Sequence, residues 1–355
     1  MISSSNGYED LIWAGRSLTG TQVLDSDSSP TEAEIAAFLG NNKAALLAAR
    51  QALQRDCYVT VVYDGAYIEQ FGVAAAALRN LAKCQNLKIT DAEQRGDVSD
   101  AVRIGLDLFD LANASRRGGL ILNFLVSAAI ESTGIYWLRK LRRQLNEAES
   151  RFLANDLLRV EASREVFEEI LAREKQWDLA VPGPSDEELL AEMDKTLEVD
   201  EVDSIAARLV QQVIRDVVKL PTADRNGMHR SIENNNVALL RLLAIEAALN
   251  AHFVARGTLP EKLQDLAPEF IGRLPIDPYN GKSFVYRRTP DGFQVYSTGP
   301  TGKDLGGQFG SSMDVQCGRA DLCLDMGDYS FSCPINPPRV GLVSSVISRI
   351  RRCFR

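Results

Sequence analysis

From about Tyr8 to Val218 the chain repeats one pattern: apolar residues at helical spacing, a short turn, and another such run. Ala45, Leu46, Leu47, Ala49 and Leu53 form one stripe, and Ile68, Phe71, Ala75, Leu78 and Leu81 a second. Ala101, Ile104, Leu106, Leu108 and Leu111 form a third. A helix with one apolar side must bury that side on a neighbour. Many short helices joined by short turns therefore predict stacked helical hairpins of solenoid type. The punctuation agrees. Ser29 precedes Pro30, Glu32 and Glu34, which together mark a helix start. Asn41 or Asn42 opens the next helix, Gly96-Asp97 another, and Gly118-Gly119 closes it. Leu120 to Leu145 reads as a helix interrupted at Gly134.

Pro182-Gly183-Pro184 is the clearest break, and Ser185 to Ser204 holds nine acids and one lysine, the pattern of a solvated helix and linker. Beyond Pro221 the pattern changes. A long helix is expected from about Met228 to Ala255, with Leu239, Leu242, Leu243, Leu249 and Phe253 on one side. A short helix at Leu259 to Leu266 and a turn at Asp277-Pro278-Tyr279-Asn280-Gly281 follow. Lys282 to Arg288 and Phe293 to Ser297 then read as a hairpin around Pro290-Asp291-Gly292. The fold class is mainly α: a helical region at 1–220, a small α+β module at 221–310, and a cysteine-containing extension at 311–355.

Composition narrows the function. The net charge of −8 is a poor match to phosphate backbones, so no nucleic-acid partner is expected. Two histidines, His229 and His252, leave little material for a histidine-based metal site or triad. Among the six cysteines, Cys57 and Cys84 lie apart, whereas Cys317, Cys323, Cys333 and Cys353 fall near the C-terminus. Those four are open to three readings: incidental thiols, two disulfides in an oxidising compartment, or a metal site. Their spacing lacks the C-x2-C knuckle of a zinc site. The longest uninterrupted run of mostly apolar residues, Leu120 to Ile130, is about half a bilayer span and predicts a core helix.

The stretch from Gly96 to Gly118 is similar to one tetratricopeptide unit, without that pattern's Trp and Tyr. The larger resemblance lies in an ordered series from Val237 to Gly307: a long helix ending in HFVARGTLP, a short helix, LPIDPYNGKSFVYR, a Asp-Gly hairpin, and VYSTGPTGKDLGG. This series resembles the C-terminal globular part of the major pseudopilin of type II secretion and related type IV pilin-like modules. A helical region followed by such a module also looks like a group of planctomycete-type bacterial proteins that usually carry a membrane helix near the N-terminus. The resemblance implies an α+β module against a long helix. It also implies a final loop that in the family often binds calcium. Here Thr301 and Leu305 stand at two usually acidic positions, which leaves Asp304, with Asp314 as a possible second carboxylate.

No nucleophile motif, zinc-protease motif or dinucleotide fingerprint is present, and GPTGKD at Gly299 to Asp304 departs from the phosphate-loop pattern. Glu246 falls inside the apolar stripe of the long helix, where burial would raise its pKa. His252 lies about 120° further round and is expected at the surface. Residues 339–355 carry five arginines and no acid, with Leu342, Val343, Val346, Ile347, Ile350 and Phe354 at helical spacing. Such a basic amphipathic segment suits an anionic membrane surface or the acidic body of its own chain. The expected function is a non-catalytic scaffold or protein-interaction protein of the cell envelope, with a protein partner. Two alternatives are a hydrolase using Glu246 or His252 between the long helix and the helical region, and a calcium-stabilised secretion accessory. With Met1 as its start the chain is expected in the cytoplasm; an upstream start bearing a membrane helix would place it at the envelope.

Overall fold

The computed structural model describes residues 6–24, 30–64, 66–181, 222–290, 292–310 and 312–327. The Pro182–Pro184 break, the acidic stretch after it, Cys333, Cys353 and the basic segment 339–355 lie outside them. The protein is mainly helical: α1 (Gly7–Arg16), α2 (Glu32–Asn41), α3 (Lys43–Leu53), α4 (Ala66–Gln94), α5 (Val98–Arg116), α6 (Ile121–Leu141), α7 (Glu147–Ala162), α8 (Phe167–Ala180), α9 (Thr222–Arg256) and the short α10 (Ser312–Gln316). A single two-stranded antiparallel sheet, β1 (Val285–Thr289) and β2 (Gly292–Tyr296), follows α9.

Local chemistry fixes most of the helix starts. Asp97 caps α5 by accepting from the Asp100 N–H at 3.0 Å. Asn146 and Glu149 close a reciprocal capping box on α7, each bond being 3.0 Å. Thr31 and Glu34 do the same for α2, so the cap is Thr31 and not the expected Ser29. Asn42 turns its side chain away from α3 and bonds the backbone of Thr19 and Phe38 instead. The expected break at Gly134 does not occur. There the absent Cβ leaves room for the ring of Phe109, and α6 runs through unbroken. Gly118 does terminate a turn, at φ +75°, where a side chain would strike the carbonyl of Val59 as that strand-like segment passes.

Helices α4, α5 and α6 pack in sequence, and α1 lies against both α3 and α4. The long α9 then returns to lie along α7 and α6. Most of its middle is buried: Ala238, Leu240, Leu242, Leu243, Ala244, Ile245, Ala247, Ala248, Leu249 and Ala251 are all inaccessible, while Leu239, Glu246 and Asn250 form a partly exposed side. This differs from the single stripe expected, and Phe253, placed on that stripe, is 51% exposed. One continuous apolar cluster runs from Tyr8 in α1 to Leu324 beyond the sheet. Ile121–Gln144 and Asn226–Arg256 are long and apolar enough to cross a membrane, and most of each is covered by the protein itself.

The charges on these helices are matched in the interior. Arg116 of α5, 1% exposed, forks onto both carboxylate oxygens of Glu233 on α9 at 3.1 Å. Arg164, after α7, bonds Glu233 at 2.6 Å and also pairs with Glu131 of α6. Asn236, one turn along α9, donates to Glu131 at 3.1 Å. Two guanidiniums and two carboxylates thus tie α5, α6, α7 and α9 at one point.

Removing one partner of a buried ion pair strands the other, so Glu233→Ala is expected to cost about 3–5 kcal/mol in chemical denaturation. Helices α1 and α4 touch at Gly15, where an added Cβ would overlap the backbone of Ala77. Gly15→Ala should therefore destabilise by about 1–3 kcal/mol. Gly40→Ala, in open space at the end of α2, should stabilise by about 0.5–1 kcal/mol in the same assay.

Candidate functional site

A cavity of about 500 Å³ opens between the C-terminal half of α9, the β1–β2 hairpin and the 3-10 turn Leu324–Gly327. Leu249, Phe253, Leu259, Phe293, Val295, Phe309 and Leu324 give it apolar walls. The hairpin seats against α9 because Val295 and Phe284 are buried while Gln294 and Arg288 face outwards or to the rim. The strands pair Tyr286 with Val295 and Arg288 with Phe293, so the expected hairpin is present, its first strand starting at Val285.

One end of the cavity is polar. Arg142, in the 3-10 turn Arg142–Gln144 that ends α6, donates from Nε to Glu246 Oε2 at 2.6 Å. Its Nη2 lies 2.7 and 2.8 Å from the two oxygens of Asp325. Arg143 reaches the same carboxylate at 3.2 Å and is otherwise largely in solvent. Arg139 holds the adjoining carbonyl of Leu324 at 3.1 Å, which fixes the segment bearing Asp325 against α6. Burial pushes the Glu246 carboxyl above the ordinary range, and the single contact from Arg142 only partly offsets this because that guanidinium is shared with Asp325. Arg142 remains firmly cationic between its two carboxylates.

His252 is buried, not at the surface as expected. Its Nδ1 is 2.8 Å from the carbonyl of Thr258, and its ring packs on Phe270 with centroids 5.0 Å apart. It faces away from the cavity that Glu246 lines. His229 is likewise buried, beside Phe124.

The glycine-rich loop is held by protein groups. Asp304 accepts from Tyr296 Oη at 2.8 Å, Arg287 Nη2 at 2.7 Å and the Gly306 N–H at 2.8 Å. Asp314 pairs with Arg319 at 3.0 Å. Asp321, fully buried, accepts from the N–H groups of Leu305 at 3.2 Å and Gly307 at 2.9 Å. It is Asp321, not Asp314, that meets the loop carrying Asp304. Among the described residues no group of three or more His, Cys, Asp or Glu side chains converges as a metal site would. Asn280 bonds Thr298 at 2.9 Å, so the Asp277–Gly281 turn braces the same loop. Cys57 and Cys84 are buried thiols, and burial pushes them up to about 11 and about 12.

A second groove, about 340 Å³, lies between α1 and α4. Ile12, Val59, Tyr67, Phe71 and Val73 line it. A third polar cluster joins α4, α5 and α7, where Asp107 and Asp110 face Lys88 and Arg159. Burial raises both carboxyls, Asp110 to about 6, and lowers Lys88. Asp110 keeps only a 3.9 Å approach from Arg159.

No protein-family model, curated relative or solved structure matches this chain.

The Asp110 shift carries a sign. With its folded pKa raised from 3.8 to about 6, the folded state binds the extra proton inside that window, and stability falls as pH rises through it. Thermal melts should show Asp110→Asn equal to the parent protein at the acid end and more stable above about pH 6. A constant difference across the range would contradict the assignment.

Proposed function

We propose that the protein is a non-catalytic interaction protein of the cell envelope that grips a protein partner along the α1–α4 groove. The observation that carries this reading is the groove's rim. Ile12, Val59, Phe71 and the 48% exposed Val73 line the groove, and the exposed Trp13 and Tyr58 adjoin the lining residues Ile12 and Val59 in the chain, Trp13 at 59%. Exposed aromatics beside an apolar cleft have the composition of interface anchors. Glu9, Ile12 and Arg16 line the groove from one side of α1, and Trp13 falls on that same side by helical spacing. Asn6 and Tyr58 exchange bonds between side chain and backbone, which pins the extended 57–63 segment along the groove's edge. The envelope assignment rests on the resemblance of Val237 to Gly307 to pseudopilin globular domains.

A second reading, hydrolysis through Glu246, draws on the raised pKa of that carboxyl at the wall of the larger cavity. It is the weaker one on chemistry. Glu246 is held by Arg142, and among the described residues no imidazole or hydroxyl side chain lines that cavity to share a proton relay.

A photo-crosslinking amino acid at Val73 should capture one discrete partner in cells of the source organism, and the same residue at Phe152 on α7 should not. Trp13→Asp with Val73→Asp, folded by circular dichroism, should lose that product. Equal, diffuse labelling at both positions would reject the reading.

A further inference from the structure

We infer that the cavity beside α9 is a binding site for a single-chain fatty carboxylate, its chain against the apolar walls and its head on the Arg142–Arg143 pair. Three observations meet here. The space, about 500 Å³, is within the range of roughly 300–1,000 Å³ that holds a small organic ligand. Its walls are aliphatic and aromatic from three separate elements: Leu249 and Phe253 from α9, Phe293 and Val295 from β2, and Leu324 from the turn beyond. Its charged groups gather at one end, where two neighbouring guanidiniums converge, while Asn250 and Gln294 add neutral polar groups to the lining.

The protein itself shows what those guanidiniums take. Asp325 places a carboxylate on Arg142 with both oxygens and on Arg143 with one. Arg142 is nearly buried and is also committed to Glu246, whereas Arg143 is 76% exposed and free to turn inwards. A ligand carboxylate reaching this end competes with Asp325 for the same donors. Asp325 is then an internal competitor: with Glu246 it balances the two guanidiniums. A cationic amphiphile would meet the guanidiniums with like charge. A neutral one would gain the walls and forgo the charged hydrogen bonds.

Equilibrium dialysis of the full chain at neutral pH with decanoate, 1-decanol and decyltrimethylammonium tests this. Decanoate should bind saturably at one molecule per chain, with decanol roughly tenfold weaker and the cation unbound. Arg143→Gln, a surface change, should weaken decanoate roughly tenfold and leave decanol unaltered. Asp325→Asn should tighten decanoate, since it removes the competitor, and Leu259→Trp should block both ligands by filling the wall. The inference is overturned if decanoate shows no saturable binding, or if decanol binds as tightly as decanoate. It is also overturned if a folded Leu259→Trp or the Arg143→Gln chain binds decanoate like the parent, or if only a peptide with an apolar C-terminal residue and free carboxylate binds.

Discussion

A helix that is largely buried leaves little room for an unmatched charge, and α9 is such a helix from Ala238 to His252, where only Leu239, Arg241, Glu246 and Asn250 keep partial exposure. Each fully buried leucine or isoleucine there is worth about 1.5–3 kcal/mol against exposure, so the apolar content of α9 holds the assembly together. It does not by itself say how the helix should be placed. The ionic residues do that. Glu233 meets Arg116 and Arg164, Arg241 meets Glu161, and Glu246 meets Arg142, each partner on a different neighbouring element. Sliding α9 by one turn would set all three against apolar walls, at a cost set by desolvation. Apolar burial supplies the stability and the three pairs supply the register.

The same helix explains where space is left. Over much of its length α9 is covered by α6 and α7, helices of 21 and 16 residues. Towards Phe253 the cover passes to a hairpin of two five-residue strands and the turn at Leu324. Two short strands cannot wrap a helix as closely as two helices can. The cavity with Arg142 at its head is the gap between these coverings. Its charges are the end of the register system, since Glu246 serves both roles.

Two places on this fold carry the proposals, and they share no residue. The α1–α4 groove, about 340 Å³, mixes apolar and polar walls. The cavity on α9 is larger, about 500 Å³, with apolar walls from three elements and paired charges at one end.

Much of the architecture was legible from spacing alone. The stripe of α5, that of α3 apart from Leu47, which is 54% exposed, the turn chemistry of Asp277 to Gly281, and the hairpin at Gly292 all rest on residues close in the chain, where periodicity and capping decide the outcome. Glu246 was also legible, since a lone carboxylate among leucines signals burial. What sequence spacing misplaced depended on partners far away. Gly134 looks like a helix break until Phe109 of α5 occupies the space its missing Cβ leaves. His252 reads as surface until Thr258 and Phe270 close over it. Arg116, Arg164 and Asp321 look like ordinary exposed charges, and only the folded chain brings the carboxylates and amides that bury them. By itself the sequence determined that this chain is a stack of helices ending in a small hairpin module, because local apolar periodicity permits little else. Only the tertiary structure decided how far α9 is enclosed, which charges pair across it and where a cavity remains, because those outcomes turn on contacts between residues a hundred positions apart.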